Sequence, residues 1–222
     1  EKEKIIIVNR CSEKIYEVVE NIIEKKVYGT KIIFKASILQ KKSKLRNLLE
    51  KNKELELIPP SDPRVQCAIA PCSEDMLADE GFKDRKELSE KMYNTMKKYG
   101  GIGLTCNQVG LPFNYFVIGG HPQIESGLTI HCFNPIIVSS SDEKVLMTEG
   151  CLTFPFVFLP LKRPRKVVVK YEDENGDLKE ANLDGMMSRA FQHEYDHILG
   201  RNFTEHASQL KLDRAFKKAG KK

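Results

Sequence analysis

Two histidines four residues apart, with a glutamate after the first, carry the clearest chemical signal in this 222-residue sequence. On a helix, His193 and His197 would lie on one face, about 6 Å apart along the axis. Such a pair can bind one metal ion, and Glu194 would flank that ion as a general base. The pattern therefore predicts a hydrolytic metal site. The motif alone also fits a buried helix with two hydrogen-bonded histidines.

A third metal ligand is expected upstream of this helix. Downstream, Glu205 and His206 follow soon after Gly200 and are poor candidates. Upstream, Cys151 lies in the segment 149–155, beside a glycine that lets a backbone approach closely. One thiolate and two imidazoles leave the fourth position of a tetrahedral ion open for water, an arrangement typical of a catalytic site.

A glycine-rich segment, residues 100–110, follows a predicted helix over residues 84–99. It lacks the Gly-Lys-Ser/Thr sequence of a phosphate-binding loop, and no strand leads into it. One interpretation is a helix C-cap followed by a turn. The other is an extended backbone with which a peptide could pair, ending in a neutral amide donor, Gln108.

Three segments together resemble the signature motifs of the peptide deformylases. In the order of that family, they are Gly101-Ile102-Gly103-Leu104-x-x-x-Gln108, Glu149-Gly150-Cys151-Leu152 and Gln192-His193-Glu194-x-Asp196-His197-x-x-Gly200. Residues 58–63 also resemble the segment that opens the family's catalytic domain. The resemblance covers residues 57–206. It departs from the family pattern at Thr105 and Cys106, where two alanines are usual; this change would add a thiol near the site.

The resemblance implies a metal-dependent hydrolase that removes the N-formyl group from the N-terminal formylmethionine of nascent polypeptides and releases formate. Glu194 would take a proton from water and pass it to the leaving amine. The side-chain amide of Gln108 and the backbone N–H of Leu152 would stabilise the oxyanion. Glu149 and Asp196 are expected to form hydrogen bonds that orient the cysteine loop and the helix.

The same resemblance implies an apolar pocket for the substrate methionine. Four residues match it: Ile102, Gly103, Met186 and Ala190. All four could equally be ordinary core residues. Arg163 matches a family arginine near the bound peptide, and a surface cation beside Pro164 is an equally good interpretation.

The ligand set Cys151, His193 and His197 suits zinc or iron(II). The resemblance implies one divalent ion per chain, iron(II) in the cell, with zinc, nickel or cobalt able to substitute. Two other classes share part of the pattern. A zincin-type endoprotease would need a third protein ligand downstream, and a structural metal-binding protein would fill the fourth position and would not need Glu194.

Composition restricts the partners and the compartment. No apolar run is long enough to span a membrane. The net charge is +5, and its basic excess at the two chain ends is interpreted as solvated charge without a specific nucleic-acid site. Bacterial peptide deformylases act at the ribosome, which implies a transient ribosome contact. The six cysteines show no C-x-x-C spacing, which favours a reducing compartment and argues against a zinc ribbon.

The chain is predicted to have three parts: a basic Lys/Ile-rich extension over 1–56, the catalytic domain over 57–206, and a basic C-terminal helix or tail over 207–222. The extension begins with Glu1 and not with Met, so we expect a processed or partial chain. Its bias towards Lys, Ile and Asn resembles proteins from AT-rich genomes, including those of plastid-bearing parasites. The predicted location is therefore an organelle stroma or matrix, plastid or apicoplast, with a bacterial-type cytoplasm as the alternative.

Local patterns predict the elements that must position these residues. In the extension they indicate a strand or buried turn at 5–8, a helix over 15–23 capped by Ser12, and a second helical stretch over 38–49. Beyond it they predict strands at 115–118, 129–138 and 145–148, and a hairpin of 167–171 with 178–183 through Asn175-Gly176. The metal helix should span 184–199, capped by Asp184 and ended by Gly200, with a short helix near 210–216. The class is α+β: short mixed or antiparallel sheets packed around a central metal-binding helix.

Overall fold

The computed structural model describes residues 4–25, 30–36, 43–45, 48, 55–122, 124 and 127–220. The chain divides into two compact units, Glu1–Glu54 and Leu55–Lys222. Most of the helix predicted over 38–49, the basic residues 41 and 42 and the last two lysines fall outside the described residues.

The first unit is a β–α–β arrangement. Strands β1 (Lys4–Cys11) and β2 (Thr30–Ala36) pair in parallel, with Ile6 opposite Ile32. A parallel pair needs a crossover connection, and helix α1 (Tyr16–Glu24) lies within it. The predicted strand at 5–8 is therefore confirmed, whereas β2 was not predicted.

Ser12 does not cap α1, so that prediction was wrong. A 3-10 helix, Glu13–Ile15, comes between them, and Ile15 occupies the N-cap position. Ser12 instead accepts the backbone N–H of Ile15 through its carbonyl oxygen at 3.1 Å. The side chains at the centre of this unit are Cys11, Val19 and Leu45, all buried.

The second unit contains a five-stranded antiparallel sheet in the order β3-β4-β5-β8-β9. Its strands are β3 (Gly103–Thr105), β4 (Tyr115–Gly119), β5 (Thr129–Ser140), β8 (Lys166–Glu172) and β9 (Leu178–Asp184). The predicted hairpin is confirmed, because β8 and β9 pair from Lys166 opposite Asp184 to Glu172 opposite Leu178. Gly176 in its turn has a φ of +84°, a conformation that glycine adopts without a steric penalty.

Strands β6 (Lys144–Cys151) and β7 (Phe154–Pro164) form a separate two-stranded antiparallel ribbon. The strand predicted at 145–148 is confirmed and extends further, as far as Cys151. Strand β7 was not predicted, because Pro155 and Pro160 argue against a central strand. In a two-stranded ribbon each strand has one free edge, where a proline is tolerated. Alternate residues of β7 are buried: Val157, Leu159 and Leu161.

The described residues of this unit also form four α-helices: α2 (Glu74–Asp79), α3 (Arg85–Lys98), α4 (Gly185–Ile198) and α5 (Gln209–Ala219). The predicted metal helix is α4. Asp184 is its N-cap and accepts the N–H of Gly185 at 2.6 Å, and Gly200 follows its end with a φ of +71°. No helix within the described part of the chain is both long enough and apolar enough to cross a bilayer.

Helix α4 lies between the sheet and the ribbon. Its apolar side packs on the five-stranded sheet, where the rings of Phe191 and Phe116 meet edge to face at 5.0 Å. Helix α3 packs with Leu104 and Val117 in a second cluster, and α5 packs on β7. This arrangement of small sheets and helices is the predicted α+β class.

Candidate active site

Cys151, His193 and His197 lie together in the structure. The ligand atoms that they offer all lie within 4.8 Å of one another, and Sγ of Cys151 is 3.3 Å from Nε2 of His197. Bonds of about 2.3 Å to sulfur and about 2.0–2.1 Å to imidazole nitrogen can be accommodated by ligands at such separations. In the described part of the chain this is the one group of potential ligands with that geometry. The donor set fits a single divalent ion.

Two separate elements bring the three ligands together. The histidines are one helical turn apart on α4, as their spacing predicts. Cys151 is the last residue of β6, just after a register shift between Gly150 and Cys151 in the ribbon. A side chain at Gly150 would meet the ring of Phe158 at 2.8 Å, so this exposed ring would have to move to make room for it.

The electrostatics of the cluster favour a thiolate. Burial raises the pKa of Cys151, but the charge of His197 and the hydrogen bonds of both histidines outweigh burial and hold this pKa well below its usual value. For His193 burial acts in the opposite direction and lowers the pKa. Hydrogen bonds to Cys151 and Glu149 overcome it, so the pKa of His193 lies well above its usual value. The thiolate is the form of cysteine that binds metals.

Glu149 lies behind His193, on the side away from the cysteine. Its Oε2 accepts the Nδ1–H of His193 at 2.9 Å. Burial raises the pKa of Glu149, yet the hydrogen bonds from His193 and Arg163 lower it far below the usual carboxyl range. The ionised carboxylate can only accept, so it holds the Nδ1 proton of His193 and leaves Nε2 as the nitrogen that a metal would bind once its own proton has left.

Arg163 is buried beside two carboxylates. It is 6% exposed, so the surface-cation interpretation was wrong. Its guanidinium donates to Glu149 at 2.7 and 2.9 Å and to Oδ2 of Asp196 at 2.7 Å. His206 contacts the same Asp196 oxygen at 2.8 Å and does not join the metal cluster. Arg163 therefore faces the carboxylates behind the ligands, and the described residues that line the cavity do not include it.

Arg189 was missed by the sequence analysis. It is buried, donates to Oε1 of Glu149 at 2.7 Å, and donates to the backbone carbonyls of Val145 and Leu161. One signal was available: Arg189 precedes His193 by one helical turn and so lies on the ligand face of α4. With Arg163 it gives Glu149 two cationic partners.

Gln108 is held in a defined orientation beside Cys151. It lies in a 3-10 helix, Cys106–Val109, directly after β3. Its Oε1 accepts the backbone N–H of Thr105 at 2.8 Å, which identifies the other amide atom as nitrogen. That Nε2 donates to Thr153 at 3.0 Å and lies 3.5 Å from the sulfur of Cys151.

Glu194 lies beside the ligands and is 3% exposed. Its Oε2 accepts the hydroxyl of Thr105 at 2.7 Å. A side chain at Gly103 would lie 2.8 Å from its Cγ and 2.7 Å from its Cδ, so the absence of a Cβ makes room for it. Burial raises the pKa of Glu194, while the charges of the two histidines and the hydrogen bond from Thr105 oppose this rise.

Cys106 does not bring a thiol to the site, contrary to expectation. It is completely buried in the cluster that contains Met92, Met96 and Phe113, on the far side of the segment. Burial raises the pKa of its thiol well above the usual value. Of the two departures from the family pattern, only Thr105 reaches the site.

A cavity of about 960 Å³ opens onto the cluster between the glycine-rich segment, the ribbon and α4. Its lining includes the four residues predicted for the methionine pocket, Ile102, Gly103, Met186 and Ala190, and also Leu152. At the outer end, Phe156 and Phe158 are 61% and 57% exposed and extend an apolar surface. The cavity is mostly apolar and ends in the polar groups, as small-molecule and peptide sites commonly do.

Comparisons with known proteins agree on one family. The family of polypeptide deformylases matches residues 72–213. A peptide deformylase from Novosphingobium aromaticivorans is 32% identical over 186 residues, 75% of this chain and 95% of that protein. The crystal structure of a peptide deformylase from Synechococcus elongatus in complex with actinonin has a TM-score of 0.66 and 30% identity, and covers 76% of this chain and 88% of that one. The crystal structure of a peptide deformylase from Plasmodium falciparum has a TM-score of 0.65 and 28% identity, and the match covers 75% of this chain and 94% of that one.

Proposed function

The chain belongs to the polypeptide deformylase family and removes the N-formyl group from nascent polypeptides, and we propose that its chemistry is carried by Cys151, His193, His197 and Glu194. One observation carries this assignment: a thiol and two imidazoles meet at the inner end of an apolar cavity, with a buried carboxylate beside them. Cys151, His193 and His197 would hold the metal of this family. When bound, the ion supplies Lewis-acid chemistry that makes hydroxide available near neutral pH.

Glu194 is the proposed general base and acid. It would accept the proton of the attacking water and deliver it to the leaving amine when the bond between that amine and the formyl carbon breaks. Its position beside His193 and its burial support this role. The pKa of its carboxyl is raised by burial, towards the range in which a carboxyl exchanges protons readily.

Gln108 and the backbone N–H of Leu152 are the proposed donors to the developing oxyanion. The orientation of the Gln108 amide supports this role, because its NH₂ group points towards Cys151 and its oxygen is held away by Thr105. A glutamine can donate in this way without titrating. Leu152 adjoins Cys151, and both line the cavity.

The proposed pocket for the formylmethionine side chain is formed by Ile102, Gly103, Met186 and Ala190. Their position along the cavity, next to His193 and Glu194, supports it. Arg163 is proposed to act indirectly: with Arg189 it keeps Glu149 ionised, and Glu149 orients His193. The contact of Arg163 with the peptide that the resemblance implies stays a prediction.

Iron(II) is the proposed physiological ion, with zinc, nickel or cobalt as substitutes. A mixed set of one thiolate and two imidazoles supports this range of ions. Metal analysis of protein purified without oxygen, followed by reconstitution of the metal-free protein with each ion in turn, tests it. Turnover restored by iron(II) and maintained only without oxygen is the expected result.

The proposed domain limits are 1–56, 57–206 and 207–222, supported by the division into compact units between Glu54 and Leu55.

A transient contact with the ribosome and an organellar location, plastid or apicoplast, are further proposals. The Lys- and Ile-rich composition and the similarity to a Plasmodium deformylase support the second. Imaging of the tagged full-length chain beside an organelle marker tests it.

The function is tested most directly by formate release from formyl-Met-Ala-Ser, with acetyl-Met-Ala-Ser as the control. Formate release that requires both the metal and Glu194 is expected, without cleavage of the acetylated peptide. An endoprotease would instead cut internal peptide bonds of a denatured protein. A purely structural metal site would give no turnover with either substrate, and both outcomes would contradict the assignment.

A further inference from the structure

Thr105 is the one side chain of the glycine-rich segment that forms a hydrogen bond to the Glu194 carboxylate. It is the last residue of β3 and is completely buried. Its Oγ1 lies 2.7 Å from Oε2 of Glu194 and 3.2 Å from the backbone carbonyl oxygen of the same residue. A hydroxyl has one proton to donate, and the shorter contact to the carboxylate is the stronger hydrogen bond.

The position of this hydroxyl is fixed by the backbone on both sides. Thr105 pairs with Phe116 of β4, and its N–H donates to Oε1 of Gln108. Threonine is branched at Cβ, so rotation about its χ1 is restricted. The hydroxyl is therefore presented to Glu194 from a rigid element.

The carboxylate of Glu194 has little else to fix its plane. The last torsion angle of a glutamate has a broad distribution of preferred values, so packing alone defines the carboxylate plane poorly. The absence of a Cβ at Gly103 only leaves room for the stem and carboxyl carbon of Glu194, which an added Cβ would approach to 2.8 and 2.7 Å. Among the described residues, Thr105 provides the one hydrogen bond to this carboxylate. An alanine at position 105, the usual residue in the pattern that the sequence resembles, would provide none.

We propose that Thr105 is a positioning residue for the reaction. Its hydroxyl donates to Oε2 of Glu194, fixes the carboxylate plane, and leaves Oε1 to accept the proton of the attacking water and return it to the leaving amine. The proposal rests on the role of Glu194 as the proton carrier. It also gives Thr105 a double function, because its backbone orients Gln108 and its side chain orients Glu194.

Thr105→Val is the test variant, since it removes the hydroxyl and keeps the size and the branched Cβ. A ten- to hundredfold loss of kcat with formyl-Met-Ala-Ser is expected, with KM changed less than about threefold, because a misplaced catalytic group lowers turnover by factors of this order. Thr105→Ser restores the hydroxyl and should recover kcat to within about threefold of the natural chain. Thr105→Ala replaces the valine variant if that one does not fold.

Two measurements distinguish the loss of a positioning contact from a general loss of stability or of bound metal. Thr95→Val is a matched control, because Thr95 is also buried and its hydroxyl donates to the carbonyl of Lys91 on α3, away from the site. It should lower the melting temperature about as much as Thr105→Val and leave kcat unchanged. The metal content of all variants should equal that of the natural chain.

A double-mutant cycle identifies the group through which Thr105 acts. In a Glu194→Gln background, Thr105→Val should cause no further loss of kcat, since no carboxylate is left to position. A full additional loss there, an unchanged kcat in Thr105→Val alone, or a serine variant as slow as the valine variant would each overturn the proposal. The role of Glu194 itself is judged separately, from the loss of turnover in Glu194→Gln with Thr105 intact.

Discussion

The Nδ1 atom of His193 lies 2.9 Å from Oε2 of Glu149, and the same carboxylate accepts hydrogen bonds from Arg163 and Arg189. One buried anion thus connects a candidate metal ligand to two buried cations. The imidazole of His193 is therefore oriented by a group that is itself fixed.

Replacing Glu149 should affect both metal binding and folding. We expect Glu149→Gln to weaken metal affinity about ten- to hundredfold, because the ligand loses its orienting partner. It should also destabilise the metal-free protein by about 3–5 kcal/mol, since the buried guanidinium of Arg189 loses its described counter-ion and that of Arg163 keeps only Asp196. Chelator competition and urea unfolding measure the two effects.

Glu143→Gln is the matched control for that experiment. Glu143 also pairs with an arginine, Arg165, but both side chains are exposed. An exposed ion pair contributes at most about 1 kcal/mol. If Glu149→Gln were no more harmful than this control, Glu149 would not have the orienting role assigned to it.

Cys151 should react with iodoacetamide only when the metal has been removed. Its lowered pKa makes it a thiolate, and the bound ion would occupy the sulfur. Cys67 is exposed and should label in both states, whereas the buried Cys106 should label in neither. Mass spectrometry of labelled peptides separates the three. Equal labelling of Cys151 with and without metal would mean that another group is the third ligand.

Metal binding should release about one proton near neutral pH. The lowered pKa of Cys151 and the raised pKa of His193 describe a thiolate beside a protonated imidazole in the metal-free site. A metal requires the neutral imidazole, so the His193 proton must leave. Affinity should therefore fall as the pH falls below the raised His193 pKa. Calorimetric titration in buffers of different ionisation enthalpy counts the released protons, and a count of zero would contradict the charge assignment.

Gly103→Ala should reduce turnover and retain the metal. The added Cβ would lie 2.7 Å from Cδ of Glu194, so the carboxylate must move, and the three atoms nearest to that Cβ all belong to Glu194. We expect a loss of kcat of about a hundredfold, because a small misplacement of a catalytic group has a cost of this order. Gly220→Ala is the control, since its nearest contact is an ordinary 3.6 Å. Unchanged kcat in Gly103→Ala would show that Glu194 tolerates displacement.

A chain that begins at Leu55 should bind metal and turn over formyl-Met-Ala-Ser like the full chain. The described site residues all lie in the second compact unit, and the first unit has its own small core. Metal content and kcat per folded molecule are the measurements. A folded, metal-loaded truncation without turnover would mean that the extension contributes to the peptide site.

The helix that carries the site was predictable because its signals are local. The spacing of His193 and His197, the cap at Asp184 and the glycine at 200 each depend on neighbours within a few residues. The motif Glu149-Gly150-Cys151-Leu152 predicted Cys151 as the third ligand. These parts of the site needed no knowledge of the tertiary fold.

The remaining parts depend on contacts between distant segments. Strand β7 contains prolines that argue against a strand, and only its pairing with β6 makes the alternation of Val157, Leu159 and Leu161 meaningful. Arg163 was predicted near the peptide or at the surface, and the surface position was wrong because the side chain is buried against carboxylates from β6 and α4. No pattern within the sequence of β7 indicates which partner it would meet.

The ligands are supplied by segments far apart along the chain, since Cys151 and His197 are 46 positions apart. A bound ion therefore works as a reversible cross-link that closes a loop containing β7, β8 and β9. Since the unfolded chain does not hold the three ligands together, the ion binds the folded form and adds stability that grows with the concentration of free metal. The melting temperature should consequently follow metal concentration, and amide exchange in the ribbon should slow more than exchange in the distant helix α3. The same ion that enables catalysis would then also determine how long the ribbon stays docked on the helix.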